Sequence, residues 1–340
     1  MNNLKKLGLT ALAGSLAVTG ANATEYAVTG DAVLKYASID YPAGAESTFG
    51  KGLGVDTDLY FNASGELDNG FTVAFFQAAD TNGAWTNSSS QVTIGMGSLG
   101  TLKVNNIAGA AGNGIDDVMP AAYNETWDGL ALTSDNPSFF GSSTASGSVT
   151  YSIPAQEIAG LTINASVDYD PSADVGSTTA GGVNATSVVG TAMVLKIDHE
   201  SGLSLGAGTE SVENGGTKSA TSTGNDEDNV TVYAKYSAGP ISVGYQEAYQ
   251  NSANGAADNE ADFWAVAYAA DNFSISYGES TLANHQLAGS TVVERQNESI
   301  QATYTMGAMT LGAALSETGN AGGTAGNKYE ETELSVSFAF

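Results

Sequence analysis

The chain closes on ELSVSFAF, Glu333 to Phe340. In an extended strand Leu334, Val336, Phe338 and Phe340 fall on one face, and Glu333, Ser335, Ser337 and Ala339 on the other. The apolar face runs to the last residue, whereas chain ends ordinarily fray into water. Such a stripe is expected to lie against a non-aqueous surface.

The opposite end points the same way. MNNLKKLGLTALAGSLAVTGANA (1–23) carries Lys5 and Lys6, an apolar run from Leu7 to Val18, and the small-x-small triplet Ala21-Asn22-Ala23. These are the parts of a signal peptide cut after Ala23, leaving a mature chain from Thr24. The apolar run is too short to span a bilayer as a helix, which takes about 20 residues. The expected organisation is a leader over 1–23 and a single exported unit over 24–340.

The sequence has 10 basic and 37 acidic residues, a formal net charge of −27. Loss of the leader, with its two lysines and no acids, takes this to −29. Phosphate contacts need a basic patch, so this surplus argues against nucleic acid as a partner and suits cations. Cysteine is absent, so no disulfide staples the fold. With 42 glycines, 6 prolines and few charges, the composition favours many strands joined by tight turns. Aromatic residues recurring at strand-like spacing set it apart from a disordered acidic chain.

From Glu25 onward apolar and polar residues alternate with period two. Val55, Leu59 and Phe61 alternate with Asp56, Asp58 and Asn62; Leu161, Ile163, Ala165 and Val167 alternate with Thr162, Asn164, Ser166 and Asp168. Short turn-forming links (67–70, 97–100, 154–160, 200–202, 237–240, 270–272 and 306–309) take turns with long acidic ones such as 171–186, 213–228 and 251–260. The count is about sixteen strands in an up-and-down meander.

A soluble sandwich would bury the apolar face in a core, whereas a membrane barrel would turn it to lipid. Strands of about ten residues, and short turns at one end with long loops at the other, favour the barrel. Aromatics near strand ends, among them Tyr26, Tyr36, Tyr151, Tyr169, Tyr249, Tyr329 and Phe340, fit membrane interfaces. A sheet in lipid must close, so the last strand is expected to pair with the first.

With its leader, the first-strand run VTGDAVLKY, an even strand count and a terminal strand ending in Phe340, the chain resembles the general bacterial porins, especially the alphaproteobacterial branch. The resemblance implies an all-β, 16-stranded antiparallel transmembrane barrel in the Gram-negative outer membrane, usually a homotrimer. Outer-membrane lipid and lipopolysaccharide would surround it. It also implies that Leu334, Val336, Phe338 and Phe340 form the signal read by the barrel-assembly machinery, and that the third long loop folds into the lumen.

That loop is placed at 107–145. Its acids Asp116, Asp117, Glu125, Asp128 and Asp135 are the expected constriction carboxylates, and Trp127, Phe139 and Phe140 the groups that pack it. By alternation Asp31, Lys35, Asp56, Asp58, Lys103, Lys196, Asp198, Lys235 and Arg295 should line the pore wall. The second strand, VDTDLYF, carries two acids where the resemblance implies an arginine-rich wall. Rings of acids favour cations.

The function read from these residues is passive diffusion of ions and small hydrophilic solutes, with a preference for cations and no cofactor. A substrate-selective channel and a surface or secreted β-rich adhesin are the alternatives. No zinc, nucleophile-elbow or phosphate-loop motif appears, so no enzyme is expected. His199-Glu200-Ser201 reads as a turn, and the acidic loops lack the spacing of a calcium loop.

Overall fold

The computed structural model describes residues 25–40, 50–80, 85–106, 115, 118–126, 147–171, 189–213, 226–251, 258–285 and 293–340. Residues 1–24, which include the expected leader, and most of the long connections lie outside these residues. Sixteen strands occur among them: β1 Glu25–Asp40, β2 Lys51–Glu66, β3 Thr72–Asp80, β4 Thr86–Gly95, β5 Thr101–Asn106, β6 in two pieces (Val149–Ser152 and Gln156–Ile158) and β7 Leu161–Asp170. They continue as β8 Gly190–His199, β9 Leu203–Val212, β10 Glu227–Ala238, β11 Ile241–Asn251, β12 Asp258–Ala270, β13 Phe273–His285, β14 Arg295–Met306, β15 Met309–Gly319 and β16 Lys328–Ala339.

Each strand pairs antiparallel with its sequence neighbours, and β16 returns to β1 in a register running from Asp31↔Ala339 to Asp40↔Glu330. Gly30 and Phe340 exchange backbone hydrogen bonds of 3.1 and 2.8 Å, which seals the seam to the last residue. Closure removes both sheet edges. The terminal stripe is the outer face of the strand that closes the barrel.

One short link departs from the sequence reading. Residues 154–160 are expected as one turn, but Gln156–Ile158 pairs with β7, and the turn is Ala159-Gly160 alone. Both turn residues have positive φ, 51° and 80°, as a two-residue hairpin turn requires. Pro154 has no N–H to donate, and it falls at the break between the two pieces of β6.

Burial separates the two faces. Leu334 is 50% exposed while its neighbour Glu333 is 3% exposed. The same outward face carries Val232, Val243, Val266, Ile275, Ile300 and Leu315, all exposed. In water a belt of this size would drive association; in a bilayer it matches its solvent.

The belt has a definite upper edge. Glu279, Glu298, Glu317, Glu330 and Asp40 lie in direct register across β13, β14, β15, β16 and β1. They stand on the apolar face, two residues above Ile300 and Leu315 on β14 and β15. Lys328 answers two of them, at 2.6 Å from Glu317 and 3.1 Å from Glu330. Like charges set opposite one another cost stability, so such a row belongs where water and ions reach it. Tyr329 departs from its expected place among the outer aromatics: it shares the inward face of the buried Glu331 and Glu333.

Candidate pore

The described part of the third loop runs along the inner wall. Ile115, Val118 and Met119 form an apolar foot against Val194 of β8, Tyr233 of β10, and Phe263 and Ala265 of β12. Beyond it, residues 120–126 cross toward β16. A chain lying flat on a sheet cannot join the ladder, so wall side chains satisfy its backbone. The Ala122 N–H donates to Ser276 Oγ at 2.8 Å, and its carbonyl accepts from Thr303 Oγ1 at 3.1 Å. The Tyr123 and Asn124 N–H groups both donate to Gln301 Oε1, at 3.1 and 2.9 Å.

Two wall glycines make room for this path. A Cβ on Gly244 would stand 2.7 Å from Met119 Sδ and 2.9 Å from Pro120 Cδ. One on Gly312 would stand 2.7 Å from the Tyr123 ring. A larger residue at either place would have to displace these side chains or the loop that carries them.

The far end of the segment is tied by charge. The Tyr123 hydroxyl donates to Glu333 Oε1, and the same oxygen lies 3.2 Å from Lys35 Nζ. Burial, and then the hydrogen bond to Glu333, push the Tyr123 phenol well above the ordinary tyrosine range. It therefore stays protonated and continues to donate. Lys35, expected as a pore-wall charge, is thus drawn to the seam.

On β1 to β3 the wall is acidic. Asp31, Asp58 and Asp80 lie in direct register across the three strands. The Tyr60 hydroxyl bonds to Asp31 at 2.9 Å and to Asp58 at 3.2 Å. Carboxylate oxygens of Asp56, Asp58 and Asp80 all lie within 4.8 Å of one another. Charges at that spacing repel by about 1 kcal/mol per pair in water and several times that at protein-like dielectric. The inward face of this wall holds a concentrated negative potential.

The other expected residues fall on the same inward alternation. Lys103 shares the face of buried Asn105, which accepts from Gln91 at 2.7 Å and donates to Thr150 at 2.8 Å. Lys196 and Asp198 continue the face of Ala192 and Val194; Lys235 continues that of Thr231 and Tyr233. Arg295 shares the face of buried Asn297 and Ser299 at the long-loop end of β14. Of the loop acids, Glu125 is described and buried, at 6% exposure. Asp116, Asp117, Asp128, Asp135, Trp127, Phe139 and Phe140 lie outside the described residues.

Sequence reasoning misses Asp80, Tyr60, Tyr123, Gln301 and Glu333. Strict alternation through EETELSVSF would have placed Glu333 inward. Tyr60 continues the inward alternation of Asp56 and Asp58, but its partner Asp31, like the partners of Tyr123 and Gln301, lies far away in sequence. At the His199 turn, Nδ1 accepts from the Ser201 N–H at 3.1 Å and lies 2.7 Å from Ser201 Oγ. Both groups are absorbed in closing the β8–β9 link.

No curated protein matches the chain by sequence. Solved porins share its fold at low identity. OmpF of Salmonella typhi in complex with daunomycin is 12% identical with a TM-score of 0.67, covering 93% of this chain and 98% of its own. OmpT of Vibrio cholerae, in its trimer form, is 12% identical with a TM-score of 0.62, covering 93% and 99%. A triple mutant of the Rhodopseudomonas blastica porin is 14% identical with a TM-score of 0.53, covering 93% and 100%. The Gram-negative porin family model matches residues 8–340, and the chain belongs to that family.

Proposed function

We propose that this outer-membrane porin is a passive diffusion channel for ions and small hydrophilic solutes that prefers cations. The observation that carries the preference is the in-register row Asp31, Asp58 and Asp80, with Asp56 beside it, on the wall of β1 to β3. Acids grouped in a lumen raise the local concentration of cations and repel anions. The loop segment at 118–126 lies on the wall from β8 to β16, so solutes would pass between it and the acidic wall. Asp116, Asp117, Glu125, Asp128 and Asp135 would add negative charge from the loop side. The net charge of −27 favours the same sign of selectivity.

In this reading residues 1–23 are the cleaved leader. Leu334, Val336, Phe338 and Phe340 serve as the assembly signal, and lipid and lipopolysaccharide surround the belt. The working unit is a homotrimer, as the trimer form of the Vibrio cholerae protein supports. No catalytic step is assigned to any residue.

Swelling of proteoliposomes tests the proposal. Vesicles holding the folded protein should swell faster in arginine than in glutamate at matched osmolarity. Equal rates, or a faster rate in glutamate, would remove the cation preference; no swelling in either would remove the open channel.

A further inference from the structure

The inserted loop is held at its two ends by different chemistry. Ala122, Tyr123 and Asn124 are tied by hydrogen bonds to Ser276, Gln301, Thr303 and Glu333. At the foot, Ile115, Val118 and Met119 rest instead on an apolar wall. A polar side chain stands inside that wall. Gln246 of β11 lies between its register partners, Tyr233 of β10 and Phe263 of β12, on the same inward face. Both partners belong to the cluster that the foot completes. Two residues along β11, Gly244 lies under Met119 and Pro120.

Gln246 is 0% exposed, and among the described residues neither its Oε1 nor its Nε2 has a hydrogen-bond partner. Gln301 makes the contrast. It is buried on the same inner wall, yet its Oε1 accepts from two loop N–H groups and its Nε2 donates to Ser299 Oγ at 3.0 Å. One glutamine grips the loop, and the other is stranded beneath it. A buried amide without partners forfeits the hydrogen bonds that water gives it. That penalty exists only while the foot is down, because lifting the foot opens the amide to the lumen. The same motion uncovers the apolar foot, so the two effects oppose each other. A buried group left unsatisfied in this way is a store of strain.

We propose that Gln246 is a built-in release for the foot. Its stranded amide keeps the docked state of Ile115, Val118 and Met119 only slightly favoured, so the foot lifts while 122–124 stays fixed as the hinge. The wall under the foot belongs to β8, β10 and β12, and the acidic wall of β1 to β3 lies across the lumen from it. A lifted foot stands between the two and narrows the passage, so a single barrel has two conductance levels. The second level rests on the diffusion-channel reading for its physiological sense. The lifting itself is measurable without ion flow.

The chain contains no cysteine, so a single introduced thiol reports its own site. Val118→Cys places one on the foot, and Asn124→Cys places one on the hinge. Each folded barrel, in detergent, is reacted with a sulfonated maleimide. A covered thiol reacts only while it is uncovered, so the rate at Val118→Cys follows the lifted fraction. Adding Gln246→Leu should slow labelling at Val118→Cys at least fivefold and leave that at Asn124→Cys within twofold. Gln246→Met, unbranched and of similar length, should do the same and serves where the leucine variant fails to fold. Heat-modifiable migration on gels establishes folding. In a planar bilayer both variants should visit the lower conductance level at least fivefold less often. Equal labelling of Val118→Cys with and without Gln246 would overturn the release, as would no labelling of Val118→Cys when Gln246 is present. Equal slowing at both thiols would also overturn it, because the loop would then move as one piece. Absence of any conductance would overturn the channel reading and leave the labelling result standing.

Discussion

The Tyr123 hydroxyl and the Lys35 ammonium meet on one oxygen of Glu333. Tyr123 belongs to the inserted loop, Lys35 to the first strand and Glu333 to the last. One buried carboxylate therefore joins the loop to both sides of the seam that closes the barrel. A hydrogen bond to a charged group contributes about 1.5–3 kcal/mol. Tyr123→Phe removes one such bond and leaves Lys35 to satisfy Glu333. It should lower the temperature at which the barrel loses its compact gel mobility by a few degrees, and broaden open-channel current noise as the loop end loosens. Glu333→Ala breaks both contacts and should lower that temperature further. Equal thermal behaviour of all three proteins would show that the contact holds nothing.

Wall glycines set how close the loop lies. Gly244→Leu drives a side chain into the space of Met119 and Pro120, an overpacking that typically costs about 1–3 kcal/mol. The loop must move toward the lumen axis or the foot must detach. Single-channel conductance should change by a measurable step in Gly244→Leu, and should stay at the parent value in Leu315→Ile on the outer face.

The acidic row across β1 to β3 is held against its own repulsion. Asp58→Asn removes the central charge, and opposed like charges in a sheet cost about 0.2–1 kcal/mol. The variant should be as stable as the parent or slightly more so, with a weaker preference for cations. Thermal gel shift reads the first and the reversal potential under a salt gradient reads the second. A large loss of stability would mean that Asp58 is a structural hydrogen-bond partner of Tyr60 before it is a filter charge.

The row from Glu279 to Asp40 marks where the apolar belt ends. Tryptophan placed at Leu315 should be quenched strongly by bromine-labelled lipid tails. Tryptophan at Glu317, two residues up the same face, should be quenched several-fold less. Equal quenching would move the upper boundary of the membrane to the long loops.

Much of this architecture is legible in the sequence because a barrel is built from one repeated local rule. Period-two alternation, a short link after every second strand and the terminal stripe determine strand count, closure and facing together. The rule weakens where the backbone departs from a plain hairpin. Pro154 interrupts β6, so the residues beyond it read as turn although they pair with β7. Asp80 ends its strand opposite Asp58, 22 residues away in sequence, and that register is set by the pairing of β2 with β3 and not by the run around either residue. The loop's wall contacts are silent in sequence for a different reason. Tyr123 and Glu333 stand 210 residues apart, and nothing in the run around either names the other. Glu333 is overlooked because its strand is read for the apolar face alone, while its polar face is what grips the loop.

The proposed channel is open, and its lumen selects for cations through the acidic wall of β1 to β3. The most direct measurement is the zero-current potential of the folded protein in a planar bilayer under a tenfold potassium chloride gradient. Stepwise conductance is expected, with a reversal potential on the potassium side that combined Asp31→Asn, Asp58→Asn and Asp80→Asn substitution shifts toward zero. A reversal potential on the chloride side, or one unchanged by removing all three charges, would rule out cation selection by this wall.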